Sequence, residues 1–202
     1  MSNWNNVEIV GKGDRLASFT SEIPTSLTHS MEMKKLTIKE ALKYARHDFL
    51  NELQLVLLNL DLDQKEAART NILRITERMR EEAVLDKLGL PAVETWIHTF
   101  VWLHPTFSKT VTTEIERGVR KSNDVDVASY LDKLFQEIER WIDPLSDYEV
   151  NISVYASQTS WSLRFTIQGD FRRKLELPEP MGDFEVTATD SENQWTFTIR
   201  GQ

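Results

Sequence analysis

The sequence predicts an α+β fold: a long antiparallel helical hairpin, followed by a layered α/β domain. Three observations carry this expectation. Two capping-box motifs, Thr37-Ile38-Lys39-Glu40 and Asp63-Gln64-Lys65-Glu66, each open a stretch with apolar residues at helical spacing. From about residue 106 onward the pattern changes to short segments in which apolar and polar residues alternate. One helical stretch interrupts them. Ahead of the hairpin, residues 1–33 are polar, carry Gly11, Gly13 and Pro24, and show no helical period, so they read as an extension.

Taken in order, the first helix starts at the Thr37 capping box and runs to about Leu60. The second starts at the Asp63 box, after a turn too short for anything but an antiparallel return, and runs to about Leu88. Gly89 supplies a left-handed stop, and Pro91 suits the first turn of another helix. These limits give a hairpin over 34–90 and a C-terminal domain over 91–202. The C-terminal domain reads as a strand from Thr106 to Glu116, a helix from Val125 to Ile142, and strands at Tyr148 to Ala156 and Trp161 to Gln168. Two more strands follow, around Phe184 to Thr189 and Gln194 to Arg200.

On the first helix Leu42, Ala45, Phe49, Leu50, Leu53, Val56, Leu57 and Leu60 fall in one wide apolar sector. The second helix offers Ala68, Ile72, Ile75, Met79 and Ala83 at spacings of three and four. One partner helix does not cover so broad a sector. Two hairpins are therefore expected to associate as a four-helix bundle across a two-fold axis, making the chain a homodimer. The alternative is a monomer in which the C-terminal region covers the rest of the sector.

Composition excludes several classes of function. A net charge of -8 argues against nucleic acid or an anionic membrane as partner, because phosphate binding needs clustered Lys and Arg. The absence of cysteine removes disulfide scaffolds, thiolate zinc sites and thiol nucleophiles. No apolar run approaches the roughly 20 residues of a membrane helix, and Met-Ser-Asn-Trp-Asn-Asn is not the start of a secretory signal. A soluble cytoplasmic protein is expected.

The residues that point to chemistry lie in Arg46-His47-Asp48-Phe49-Leu50-Asn51-Glu52-Leu53-Gln54. At about 100° per residue His47 points away from the apolar sector, with Asn51 beside it on the same face. Glu40, Lys43 and Gln54 share that side, and Asp48 reaches the ring from the flank. An exposed imidazole with an ordinary pKa near 6.5 is largely neutral at pH 7 and is a competent nucleophile. Leu55 and Leu58 also fall on the outer side. Either they dock an apolar partner helix or another part of the chain covers them.

The run Leu42-Lys43-Tyr44-Ala45-Arg46-His47-Asp48-Phe49-Leu50-Asn51-Glu52-Leu53-Gln54-Leu55 resembles the sporulation initiation phosphotransferase B family, which is related to sensor histidine kinases. The likeness extends over about residues 34–200. It includes Pro91 to Ile97 with Phe100 and Trp102, and the helical Tyr130-Leu131-Asp132-Lys133-Leu134-Phe135. The resemblance implies a phosphorelay intermediate, in which the histidine matching His47 takes a phosphoryl group from a single-domain response regulator. It then passes the group to the aspartate of a second, DNA-binding regulator in sporulation initiation. No cofactor is expected on this chain, since the Mg2+ that neutralises charge during phosphoryl transfer would sit in the regulator. Asp48 is placed to orient the ring, and Lys43 and Arg46 to answer the charge of the phosphoryl group or the regulator's acidic pocket. Asn51, Gln54, Leu55 and Leu58 complete the expected docking face.

The C-terminal pattern resembles the α/β sandwich of histidine-kinase ATPase domains without its nucleotide motifs. Its helix offers Gln136, Glu137 and Glu139 where such sites use an asparagine, Gly169-Asp170 and Gly182-Asp183 are isolated, and no Asp-x-Gly-x-Gly occurs. A shaping or docking role without ATP-dependent kinase activity is the expectation. Two other functions fit the same box: a histidine-kinase-like fragment or regulator phosphatase, in which Asn51 positions water, and a non-enzymatic dimeric scaffold that binds a regulator. His98 and His104 have no metal-ligand spacing. The glutamates of Glu81-Glu82 and Glu137/Glu139 read as solvated faces. Tryptophans 96, 102, 141, 161 and 195 read as core.

Overall fold

The computed structural model describes residues 36–171, 176–191 and 193–202. Helix α1 spans Ile38–Asp61 and begins at the expected capping box. The Thr37 hydroxyl accepts from the Glu40 amide at 3.2 Å, and Glu40 Oε2 accepts from the Thr37 amide at 2.9 Å and its hydroxyl at 2.7 Å. The amide bond, and then the hydroxyl, hold the Glu40 carboxyl below its ordinary pKa.

Helix α2 spans Lys65–Leu85 and returns antiparallel to α1, but the second capping box does not form. Asp63 instead takes a left-handed backbone, φ 55°, at the end of α1. The Gln64 amide donates to Asn59 O at 2.8 Å and the Asp63 amide to Leu60 O at 3.0 Å, the paired bonds of a Schellman stop. A residue spent on closing one helix does not cap the next, so Gln64 becomes the N-cap without a side-chain bond. The Asp63 carboxylate pairs with Lys65 at 3.2 Å. Between the two helices, Arg78 donates both guanidinium nitrogens to the Glu52 carboxylate at 2.6 and 2.9 Å.

α2 ends at Leu85, three residues earlier than expected, and a tighter turn carries the chain through Leu88. Gly89 takes the left-handed conformation at φ 76°, and Pro91 opens helix α3, Pro91–Leu103. The free amides at this start are satisfied by carboxylates. Glu94 Oε1 accepts from Gly89 and Leu90, and Asp124 Oδ2 accepts from Ala92 at 2.7 Å.

The sheet has the order β1-β2-β3-β5-β4, with β1 Phe107–Ile115, β2 Tyr148–Ala156, β3 Trp161–Gln168, β4 Phe184–Ser191 and β5 Gln194–Gly201. Only β1 and β2 run parallel, because the 18-residue helix α4, Asp124–Trp141, crosses between them. One sheet face is apolar: Val150, Ile152 and Val154 on β2, Leu163, Phe165 and Ile167 on β3, and Phe197 and Ile199 on β5 are buried. α4 presents Val127, Leu131, Leu134, Phe135 and Ile138 to it. α3 adds Trp96 and Phe100, which pack against Phe135 at centroid distances of 5.4 and 4.9 Å. Leu85 and Leu88, at the end of α2, and Leu90 belong to this core as well, so the hairpin is anchored in the sheet domain rather than tethered to it.

Two of the tryptophans expected in the core lie elsewhere. Trp141 is exposed, and Trp102 is only half-buried because it faces the hairpin at Tyr44 and Asp48 while Phe100 and His104 on either side of it are buried. The glutamates are also less solvated than expected. Glu81 accepts from the Thr113 hydroxyl at 2.7 Å, tying α2 to β1, and Glu139 lies 3.1 Å from the buried His104 ring.

Candidate functional site around His47

His47 sits near the middle of α1 on the side away from the hairpin's internal contacts, with its side chain 70% exposed. Helical spacing brings Asn51 one turn below it, and Asn51 Nδ2 lies 3.1 Å from His47 Nδ1. Asp48 comes from the flank, with Oδ1 at 3.4 Å from the same nitrogen. Both neighbours address Nδ1. His47 Nε2 has no partner among the described residues and is free for an incoming group.

The two contacts favour different tautomers. A carboxylate only accepts, so Asp48 requires a proton on Nδ1 and leaves the Nε2 lone pair available. The Asn51 amide nitrogen donates to Nδ1 and puts the proton on Nε2. Turned by 180°, the same amide would present its oxygen and support the tautomer that Asp48 selects.

Of the other expected residues, Lys43, Arg46, Gln54, Leu55 and Leu58 are exposed on α1. No ion pair or side-chain hydrogen bond ties down Lys43, Arg46 or Gln54 among the described residues. They place exposed cations near the imidazole and exposed leucines further along α1.

The structure adds a residue that sequence reasoning placed in the core. Trp102, near the end of α3, donates its indole N–H to Asp48 Oδ2 at 2.8 Å. Its ring stacks on Tyr44 at 5.8 Å between centroids and 24° between planes. The contact spans 54 positions in sequence, and no periodicity within either helix signals it. Below it, a cavity of about 370 Å³ between the hairpin, α3 and β1 is lined by Asp48, Glu52, Arg78, His98, Trp102 and Lys109, among others. The Lys109 ammonium donates to Ile97 O at 2.6 Å. Burial lowers its pKa, with Glu82 acting in the opposite sense.

His98 is half-buried at this cavity, and His104 is enclosed by Trp96, Phe100 and Phe135. No three His, Asp or Glu side chains among the described residues converge as metal ligands. No described helix is long and apolar enough to cross a membrane.

Residues 28–88 match the model of the sensor-kinase SpoOB-type, alpha-helical domain. The fold is similar to the catalytic domain of the histidine kinase ThkA in a nucleotide-free form, with 13% identity, TM-score 0.41, and coverage of 57% of this chain and 91% of that one. It is similar to ThkA in complex with the response regulator protein TrrA, with 11% identity, TM-score 0.39, and coverage of 80% of this chain but only 60% of the ThkA chain. The histidine kinase AdeS of Acinetobacter baumannii shows 9% identity and a TM-score of 0.41 over 77% of this chain and 97% of that one. No curated protein matches by sequence.

Proposed function

We propose that the protein is a phosphorelay phosphotransferase working through phosphohistidine at His47, a reading supported by the match of residues 28–88 to the SpoOB-type helical-domain model, which points to two-component phosphorelay signalling. The observation that carries this reading is the exposed imidazole, with Nδ1 addressed by Asp48 and Asn51 and Nε2 unpartnered. With the Asn51 amide turned so that its oxygen faces the ring, His47 is the Nδ1–H tautomer, and its Nε2 lone pair attacks the phosphorus of an aspartyl phosphate on a single-domain response regulator. The N–P bond forms as the acyl P–O bond breaks, and the regulator's carboxylate leaves with the electron pair. The imidazolium that results keeps its Nδ1 proton against the Asp48 carboxylate. Attack by the aspartate of a second, DNA-binding regulator reverses these changes and releases neutral His47.

Such transfer is mainly positioning and charge neutralisation, and in this proposal the Mg2+ belongs to the regulator. Lys43 and Arg46 supply exposed positive charge beside the acceptor nitrogen, while Gln54, Leu55 and Leu58 extend the docking face down α1. The partner is a regulator, received by a homodimer whose two hairpins cover one another's apolar sectors. The C-terminal domain has a shaping role without ATP-dependent kinase activity. Against the phosphatase alternative stands the position of Asn51, whose amide is engaged with the ring at 3.1 Å rather than turned out to hold a water.

The test is to mix the protein with a phosphorylated single-domain regulator, without ATP. The expected result is acid-labile, base-stable label on the wild type and none on His47→Ala. Stable binding without label, across several donors, would replace the reading with an inhibitory scaffold.

A further inference from the structure

Asp48 divides its carboxylate between two rings. Oδ1 faces His47 Nδ1 at 3.4 Å, and Oδ2 accepts from the Trp102 indole at 2.8 Å. Trp102 also stacks on Tyr44, one turn before Asp48 on the same face of α1. One side chain of the C-terminal domain therefore grips both ends of the helical turn that carries His47. Asp48 is half-exposed, so without this donor its carboxylate would be free to turn into solvent.

We propose that Trp102 is a positioning residue for phosphoryl acceptance, and that through it the C-terminal domain sets the tautomer of His47. This rests on His47 being the acceptor. With Oδ2 held by the indole, Oδ1 stays beside Nδ1, keeps the proton there and leaves the Nε2 lone pair for the phosphoryl group. When the indole N–H is removed, Asp48 swings away and the remaining neighbour of Nδ1 is Asn51. While Asp48 holds the proton on Nδ1, Asn51 turns its amide oxygen to the ring; once Asp48 leaves, the orientation with Nδ2 3.1 Å from Nδ1 prevails, the amide nitrogen donates, and the proton moves to Nε2. In that form the outward nitrogen has no lone pair to attack with. The C-terminal domain thus contributes the donor that holds Asp48 against the acceptor ring.

The discriminating variant is Trp102→Phe, which keeps a ring over Tyr44 and removes only the donor. Two readouts are needed: the rate of phosphoryl uptake from a phosphorylated regulator, and the ¹⁵N shifts of His47 in the unphosphorylated protein, which report the tautomer whether or not transfer occurs. One hydrogen bond of this kind corresponds to a slowing of about three- to tenfold. The expected result is that slowing, a shift of His47 towards the Nε2–H form, and no further effect of Trp102→Phe in an Asp48→Ala background.

Slowing of the same size in the Asp48→Ala background would overturn the proposal, because Trp102 would then act through stability and not through Asp48. A wild-type tautomer in a Trp102→Phe protein that transfers normally would overturn it while leaving the phosphotransfer reading intact. A tautomer shift in Trp102→Phe when the wild type itself takes up no phosphoryl group would uphold the clamp on His47 and overturn phosphotransfer.

Discussion

His47 and Asp48 differ in what their loss should do. In the proposed transfer, His47→Ala removes the atom that would bond to phosphorus, so uptake should fall to background. Asp48→Ala removes an orienting acceptor at the longer of two contacts, 3.4 Å, and should slow uptake about tenfold without abolishing it. Rapid-quench measurement of phosphohistidine separates the two outcomes, and an Asp48→Ala protein as inactive as His47→Ala would make the carboxylate part of the chemistry. The grouping of His47, Asp48 and Asn51 was legible in the sequence because it depends only on helical spacing within five residues. Trp102 was not. A tryptophan in an apolar run has the same signature whether its indole meets a sheet or a carboxylate on a distant helix, and only the packing of α3 against α1 distinguishes them.

Helix ends show a similar division between what is local and what is shared. The Thr37–Glu40 box formed as its spacing required, and it carries a pH signature. Its bonds lower the carboxyl pKa, so Glu40 contributes stability above the ordinary value of about 4.3, and that contribution is lost as pH falls through the lowered value. Far-UV circular dichroism should show helix loss in the wild type across that acidic window, and Glu40→Gln should remove this part of the pH dependence. The Asp63 box failed although its sequence was as good, because two helices three residues apart compete for the same residue and the Schellman stop of α1 won. Gly89 is the opposite case: its left-handed φ of 76° was readable from Gly-Leu-Pro alone. A Cβ there would meet Arg120 Cγ at 3.6 Å and Gly118 O at 3.7 Å, which is ordinary contact. Gly89→Ala should therefore cost only the backbone term, about 1 kcal/mol, seen as a lower denaturation midpoint with unchanged cooperativity.

At the scale of the molecule, the apolar side chains are distributed unevenly. The sheet domain buries most of its large apolar side chains in one core, whereas within the hairpin proper Val56 and Ala68 are buried and Phe49, Leu50, Leu53, Leu57 and Leu60 are 42–58% exposed. The C-terminal domain reaches α1 at Tyr44 and Asp48 through Trp102 and shares a cavity with Ala45 and Phe49 at the edge of the sector, yet Leu50, Leu53, Leu57 and Leu60 stay exposed. The wide sector was evident from the sequence; which neighbour would cover it was not, because periodicity gives the direction of a face and not its occupant. A second hairpin matches it in length and character and would bury several leucines, each contributing about 1.5–3 kcal/mol when fully removed from water. Sedimentation equilibrium should then report a dimer for the full chain. Leu57→Glu would place a charge in the centre of the bundle and should give a monomer whose sheet domain still melts cooperatively. His47 lies outside the proposed bundle seam, so such a monomer should keep an accessible imidazole while losing whatever part of the regulator's docking face the second hairpin provides. A wild type that stays monomeric at high concentration would mean that the exposed stripe belongs to a different partner, and regulator binding should then respond to Leu57→Glu as strongly as to changes at Leu55 and Leu58.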